Sequence, residues 1–332
     1  MRAVDDNGPP IRPIGVGEIE AARARIARTI LRTPLVKLQS GASGPEIYLK
    51  LENLQPINSF KLRGAANAVA CLDPARRSIG VWTISAGNAG QGVAYAAREA
   101  GVPCTVVTIE TAPETKVERM RALGAKLVPA SFDACWEAME RRTFPGVDGT
   151  FVHPFDDDDF IAGNATMGLE IVEDLPEVRT VIAAIGGGGL VTGVALGVRA
   201  RKPQVAVFGA EPETAAPGAA SFAAGKASPF PQWRATFVDG AGGKSVFPRM
   251  WERMRPVVDG SIVVTLEETK RAMRVLAERA RVIAEGAGAL SVAAALRCEA
   301  DAGPIVAVVS GGNIELATFC ELIGAAPSSE VR

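Results

Sequence analysis

Residues 81–109, VWTISAGNAGQGVAYAAREAGVPCTVVTI, decide the fold. Val81-Trp82-Thr83-Ile84 and Cys104 to Ile109 are short apolar runs rich in β-branched residues, and each reads as a buried strand. Between them lie a glycine-rich turn, Ser85 to Gly92, and an alanine-rich helix, Val93 to Ala100. A helix between two such strands predicts parallel neighbours joined by a crossover.

The same alternation extends outward. Pro113 to Leu123 reads as a helix, Lys126-Leu127-Val128 as a strand, Ala134 to Arg142 as a helix and Phe151-Val152 as a strand. After the acidic run Asp156 to Asp159 the series resumes with a helix over Ile161 to Leu175, a strand over Val181 to Ile185, a helix over Leu190 to Ala200 and a strand over Val205 to Ala210. Ala215 to Phe230 predicts an irregular excursion, followed by strand Ile262 to Val264, helix Leu266 to Arg281 and a last buried strand, Ile305 to Val309. Upstream, Ile19 to Leu31 has helical spacing and stops before Thr33-Pro34, and Ile47 to Glu52 alternates as a strand. The expected fold is α/β, with two open, twisted, mainly parallel sheet subdomains. Residues 1–55 and 156–332 would form the larger and 56–155 the smaller, its core at about 80–155. A ligand is expected in the cleft between them.

Composition excludes several classes of function. The 332 residues carry 36 basic and 37 acidic side chains, a formal charge of −1, so no global field recruits nucleic acid or an anionic membrane. No apolar run has the length of a membrane span, and Met1 to Pro13 lacks a signal-peptide core. The five cysteines are widely spaced, which suits reduced thiols and a cytoplasmic location. A single histidine, His153, argues against multi-histidine metal sites and a Ser-His-Asp hydrolase.

Four loops at strand ends carry candidate chemistry. In Ser59-Phe60-Lys61-Leu62-Arg63-Gly64 a lysine sits at a strand-to-helix turn with Ser59 available as N-cap; it is either a solvated residue or an amine nucleophile. Ser85-Ala86-Gly87-Asn88-Ala89-Gly90-Gln91-Gly92 is a tight turn that also offers hydrogen bonds. Gly186-Gly187-Gly188-Gly189, before a helix at Leu190, suits a phosphate at a helix N-terminus, with close helix-sheet packing as the alternative. It is neither a Walker loop nor a GxGxxG fingerprint, although Glu211 imitates a ribose-binding acid and keeps a nicotinamide dehydrogenase as a competitor. In the last loop, Ser310-Gly311-Gly312-Asn313, the hydroxyl could serve a ligand or cap a helix. Together, an amine, an anion cradle, an Asn and a Ser match the needs of a phosphorylated pyridine aldehyde.

These motifs, in this order, resemble the fold-type II (tryptophan synthase β-like) pyridoxal-phosphate enzymes of the threonine dehydratase and serine racemase branch. The resemblance implies pyridoxal 5'-phosphate as cofactor, with Lys61 as its Schiff-base partner and Phe60 against its ring. Asn88 would bond the ring hydroxyl, Gly186, Gly187, Gly188, Gly189 and Leu190 would hold the phosphate, and Ser310 would face the ring nitrogen. Gly240 and Glu285 would line the cofactor face. Ser85 and neighbouring backbone N–H groups at Ala86 and Gly87 would bind the substrate carboxylate, with Ala89 and Trp136 near the substrate.

The implied reaction is elimination of water from an L-3-hydroxy amino acid to give a 2-oxo acid and ammonia. Departures from the branch narrow it. Ala86 replaces the racemase's second serine, so efficient racemisation is not expected, and Ala89 replaces a histidine. Trp136 aligns with an arginine across a gap, suggesting a roomier, more apolar pocket for threonine, serine or a bulkier substrate such as 3-phenylserine; ordinary helix packing is the alternative for Trp136. Glu211 matches one carboxylate of the racemase's cation site, but the second falls at Pro217, so no metal is assigned. The few residues after Asn313 leave no room for the regulatory domain of isoleucine-inhibited dehydratases. The resemblance also implies a homodimer. A β-replacement synthase of the same fold, a racemase and a non-catalytic cofactor carrier remain as alternatives.

Overall fold

The computed structural model describes residues 9–39, 44–299 and 303–324. Helix α1 (Val16–Ile26) precedes the short strand β1 (Leu35–Lys37) and β2 (Ile47–Leu51); α2 (Lys61–Ala70) follows. The next stretch alternates as β3 (Val81–Ile84), α3 (Asn88–Ala100), β4 (Cys104–Ile109), α4 (Glu114–Ala122), β5 (Lys126–Ala130), α5 (Phe132–Arg141) and β6 (Thr150–Phe151). Then come α6 (Asp158–Asp174), β7 (Thr180–Ala184), α7 (Gly189–Arg199), β8 (Ala206–Pro212), α8 (Pro217–Ala224), α9 (Pro248–Met254) and β9 (Gly260–Val264). The last described elements are α10 (Leu266–Val275), α11 (Gly286–Ala295), β10 (Ile305–Val309) and α12 (Leu316–Gly324).

The strands form two sheets. One has the order β1-β2-β10-β7-β8-β9 and is parallel except for the antiparallel edge pair β1-β2. The other is wholly parallel, in the order β5-β4-β3-β6. Both faces of the larger sheet are covered, by α10–α12 on one side and α6, α7 and α9 on the other. Its central strand β10 is therefore apolar at every position, and each of its fully buried Val and Ile side chains is worth ~1.5–3 kcal/mol of transfer free energy. In the smaller sheet, Val81, Cys104 and Val106 pack toward α2 and α3, whereas Trp82, Ile84 and Val107 pack toward α5.

Some elements differ from the sequence-based expectation. Helix α3 begins at Asn88, inside the expected turn, with Gly87 as its N-cap. The expected excursion over 215–230 contains α8, started by Pro217 at its first position, where a missing N–H costs nothing. The first helix ends at Ile26, short of Leu31. Ser59 is not an N-cap: that position is Phe60, and Ser59 instead forms a bridge to Gly311.

Candidate active site

Lys61 opens α2, and the residues before it are tied to the loop after β10. Phe60 N–H donates to the Ser310 carbonyl at 3.0 Å and Gly312 N–H to that of Asn58 at 2.9 Å, on either side of the Ser59–Gly311 bridge. Two chemistry-bearing loops far apart in sequence are thus zipped backbone to backbone. Two residues beyond Lys61, the fully buried Arg63 anchors the same helix. Its guanidinium bonds both oxygens of Glu52 at 2.8 Å and those of Glu170 at 2.7 and 2.8 Å, and Lys50 joins Glu170 at 2.6 Å.

The Lys61 amine donates to the Pro154 carbonyl at 2.6 Å and lies 5.3 Å from the ring centre of Phe60 and 5.5 Å from that of Phe160. Among the described residues, no carboxylate pairs with it. Burial therefore lowers its pKa from 10.5 to about 8. An amine so held is far more often neutral near pH 8 than a solvated lysine, as a nucleophile or base requires.

Opposite it runs Gly186 to Gly189, which enters α7 through Gly188 in the left-handed region (φ +89°). The two readings of these glycines both hold, at different positions. A Cβ at Gly187 would stand 2.3 Å from the Phe155 ring, and one at Gly189 would stand 2.7 Å from the Phe155 carbonyl; these two are glycine for packing. A Cβ at Gly186 would meet only Gly240 O at 3.2 Å and Ala241 Cα at 3.4 Å, at the edge of the cavity. The backbone there, with the first N–H groups of α7, can approach an anion.

One cavity is lined by Phe60, Lys61, Phe155, Ala184, Gly186 to Gly189, Leu190, Gly240 and Ser310. Beside it, Asn88 Nδ2 donates to Glu285 Oε1 at 2.8 Å, and a Cβ at Gly240 would lie 3.4 Å from that same oxygen. Burial, with Asp239 nearby, pushes the Glu285 carboxyl up to about 7. Ser310 Oγ donates to Ala287 O across a long 3.4 Å, leaving the hydroxyl able to turn.

A second cavity of about 200 Å³ shares Phe155, Gly186, Gly187 and Gly240 with the first and is walled by Trp136 and Phe247. Trp136 meets Phe247 edge-on at 5.2 Å, Phe247 meets Phe155 at 5.4 Å, and Trp136 Nε1 donates to Glu140 at 3.0 Å. Trp136 thus packs and lines a cavity at once. Ser85, Ala86, Gly87 and Ala89 line neither cavity; Ser85 Oγ accepts from Gly87 N–H at 3.0 Å, and Ala89 is buried. His153 is buried between Phe151 and Phe155, and burial drives its pKa far down, so it is a neutral packing residue. Glu211 is satisfied internally by Gly218 N–H and Ala219 N–H, each at 2.8 Å, and by Ser261 at 2.6 Å. Among the described residues, no group of three or more His, Cys, Asp or Glu side chains could hold a metal ion.

Residues absent from the sequence reading include Phe155, Phe247 and the Pro154 carbonyl. Lys116 and Asp239 also pair across the cleft. A run of Pro-Phe after His153 carries no local sign that its carbonyl receives a lysine 93 residues away.

The site has an enclosed amine, a glycine-lined helix N-terminus and a strand-end hydroxyl around one cavity, and these suit a phosphorylated pyridine aldehyde. The family comparison agrees: residues 26–311 match the pyridoxal-phosphate dependent enzyme family, and the chain belongs to it. Its cofactor is pyridoxal phosphate. Among its relatives is an L-threonine ammonia-lyase of Thermotoga maritima, 40% identical over 308 residues, or 91% of this chain and 76% of that protein. A catabolic L-threonine dehydratase of Staphylococcus aureus is 38% identical, over 91% of this chain and 90% of its own. In three dimensions the chain is similar to maize serine racemase, with a TM-score of 0.85 and 34% identity over 92% of this chain and 96% of that one.

Proposed function

We propose that this protein is an ammonia-lyase that eliminates water from an L-3-hydroxy amino acid, giving a 2-oxo acid and ammonia. The observation that carries the proposal is the Lys61 amine, desolvated and, among the described residues, without a carboxylate partner, beside the glycine-lined N-terminus of α7. Relatives named for threonine deamination support it.

Pyridoxal phosphate, when bound, supplies an aldehyde for an amine and an electron sink for the bonds at the substrate α-carbon. In this reading Lys61 would be the covalent anchor and, as a free amine, the base that takes the substrate α-proton. Overall the amino acid would lose water, and the resulting enamine would take up water to give the 2-oxo acid and ammonia. Gly186 to Gly189 and Leu190 would hold the phosphate with backbone N–H groups, Phe60 would lie against the ring, and Asn88 would bond the ring oxygen. Ser310 would offer a neutral hydroxyl to the ring nitrogen, and Gly240 and Glu285 would line the cofactor face. Ser85 and the Ala86 N–H would receive the substrate carboxylate, joined by the Gly87 N–H if it leaves Ser85 Oγ, near Ala89. Because Ala86 carries no hydroxyl, proton transfer at the α-carbon would fall to Lys61.

The cavity of about 200 Å³ walled by Trp136, Phe155 and Phe247 favours a substrate side chain larger than the methyl of threonine, such as the aryl group of 3-phenylserine. The two-part division at residues 56 and 155, a homodimer and a cytoplasmic location belong to the same proposal; the five free cysteines and the absence, among the described residues, of a helix able to cross a membrane are compatible with that location. Cofactor-loaded protein given threonine, serine and 3-phenylserine should release 2-oxo acid from at least one. No product from any of the three contradicts the proposal.

A further inference from the structure

Asn313 closes the loop that carries Ser310 and is 6% exposed. Its Nδ2 donates to the Ile57 carbonyl at 2.8 Å and to Asn88 Oδ1 at 2.7 Å, while its Oδ1 accepts from Arg119 at 2.8 Å. A carbonyl can only accept and a guanidinium can only donate, so both ends permit a single orientation of the Asn313 amide. Turned over, it would set oxygen against the Ile57 oxygen and nitrogen against the Arg119 guanidinium.

The orientation passes to the next amide. Because Asn313 offers Asn88 an N–H, Asn88 must answer with its oxygen, and its nitrogen points the other way, where it donates to Glu285 Oε1. One of the two Nδ2 hydrogens is engaged there, and the second remains for a ligand acceptor. We propose that Asn313 is a positioning residue that holds the Asn88 amide with its nitrogen toward the cofactor, so that the ring oxygen meets a donor. The inference rests on the assignment of Asn88 to that oxygen. A donor there favours the ionised oxygen. Asn88 opens α3 beside the smaller sheet, whereas Asn313 follows β10 of the larger one, so the contact is set from across the cleft, with Arg119 on α4 completing the chain.

The test compares holoenzymes of wild type, Asn88→Ala, Asn313→Asp, Arg119→Glu and the Asn88→Ala/Asn313→Asp double variant. Visible absorption is read across pH, and cofactor dissociation by fluorescence titration. Asn313→Asp keeps the shape and removes both donors. Arg119→Glu lies on an exposed helix surface, where folding is not at risk, and sets an acceptor opposite Asn313 Oδ1. Asn88→Ala is expected to move the pH midpoint of the band and to weaken cofactor binding about tenfold, the scale of one lost hydrogen bond. Asn313→Asp should move both in the same direction by a similar amount and Arg119→Glu by less, and the double variant should match Asn88→Ala alone. The inference is overturned if Asn313→Asp and Arg119→Glu, or Arg119→Glu alone should the other not fold, keep the wild-type midpoint and affinity while Asn88→Ala changes both. If Asn88→Ala changes neither, the assignment of Asn88 fails and the inference with it, whereas the elimination reading, which stands on Lys61, is judged by product.

Discussion

The floor of the site and its mouth are built from opposite materials. Behind Lys61, the ion network of Arg63, Glu52, Glu170 and Lys50 is closed to solvent, with exposures of 0–3%. At the mouth, the cleft is bridged by Lys116–Asp239, with side chains 23% and 54% exposed, and by the Trp136–Phe247 contact. The contrast separates two tasks. The amine is fixed by interactions that cannot be lost singly, whereas the rim is held by contacts that can open for a substrate.

Breaking the floor should therefore cost most. Arg63→Met strands two buried carboxylates and is expected to lose about 3–5 kcal/mol in denaturant unfolding, whereas Lys116→Ala removes an exposed pair and should lose at most about 1 kcal/mol. Equal losses would erase the contrast.

The glycine loop permits a sharper cut. Gly187→Ala drives a methyl into the Phe155 ring and should cost about 1–3 kcal/mol of stability. Gly186→Ala, which meets only backbone at 3.2 Å, should leave stability closer to wild type and chiefly weaken cofactor binding, read by fluorescence titration.

Next in size is the response of cofactor-free protein to pH, at most about 1.4 kcal/mol per pH unit for each group. Lys61 is lowered by burial from 10.5 to about 8, so the unfolded chain binds more protons between those values and stability rises with pH across them. Glu285, raised from 4.5 to about 7, and Asp157, raised from 3.8 to about 6, have the opposite sign; their contribution falls as pH rises through those windows. Melting temperature should thus show a dip between about 7 and 8. Lys61→Met should flatten the upper limb and Glu285→Gln should reduce the lower one.

The smallest effect is expected at the rim. Trp136→Ala should change the ratio of kcat/KM for 3-phenylserine over threonine by up to about tenfold, the scale of a few apolar contacts in a pocket. An equal effect on both substrates would leave Trp136 as a packing residue.

Legibility in the sequence follows the same division. Buried parallel strands such as Ile305–Val309 announce themselves because both faces are covered. Helix α11 does not: Gly286–Ala295 is buried at every position, so its small residues show no amphipathic period. That Gly186 to Gly189 and Ser310 would stand together was readable because each follows within a few residues of a buried strand, β7 or β10, and they line one cavity with Lys61 at the start of α2. The chain Arg119–Asn313–Asn88 was not, because its bonds span 194 and 225 residues and no local pattern marks them. Phe155 was hidden for a related reason: its effect on sequence is displaced onto Gly187 and Gly189, whose glycines read as an anion cradle when part of their cause is an aromatic ring.

The central claim is that Lys61 is the amine that carries the cofactor. Borohydride reduction of the holoenzyme, followed by proteolysis and mass spectrometry, tests it directly. The account predicts a bleached visible band and a pyridoxyl mass on the peptide containing Lys61, with neither band nor label in Lys61→Ala. A label on another lysine, or a visible band that survives in Lys61→Ala, would contradict it.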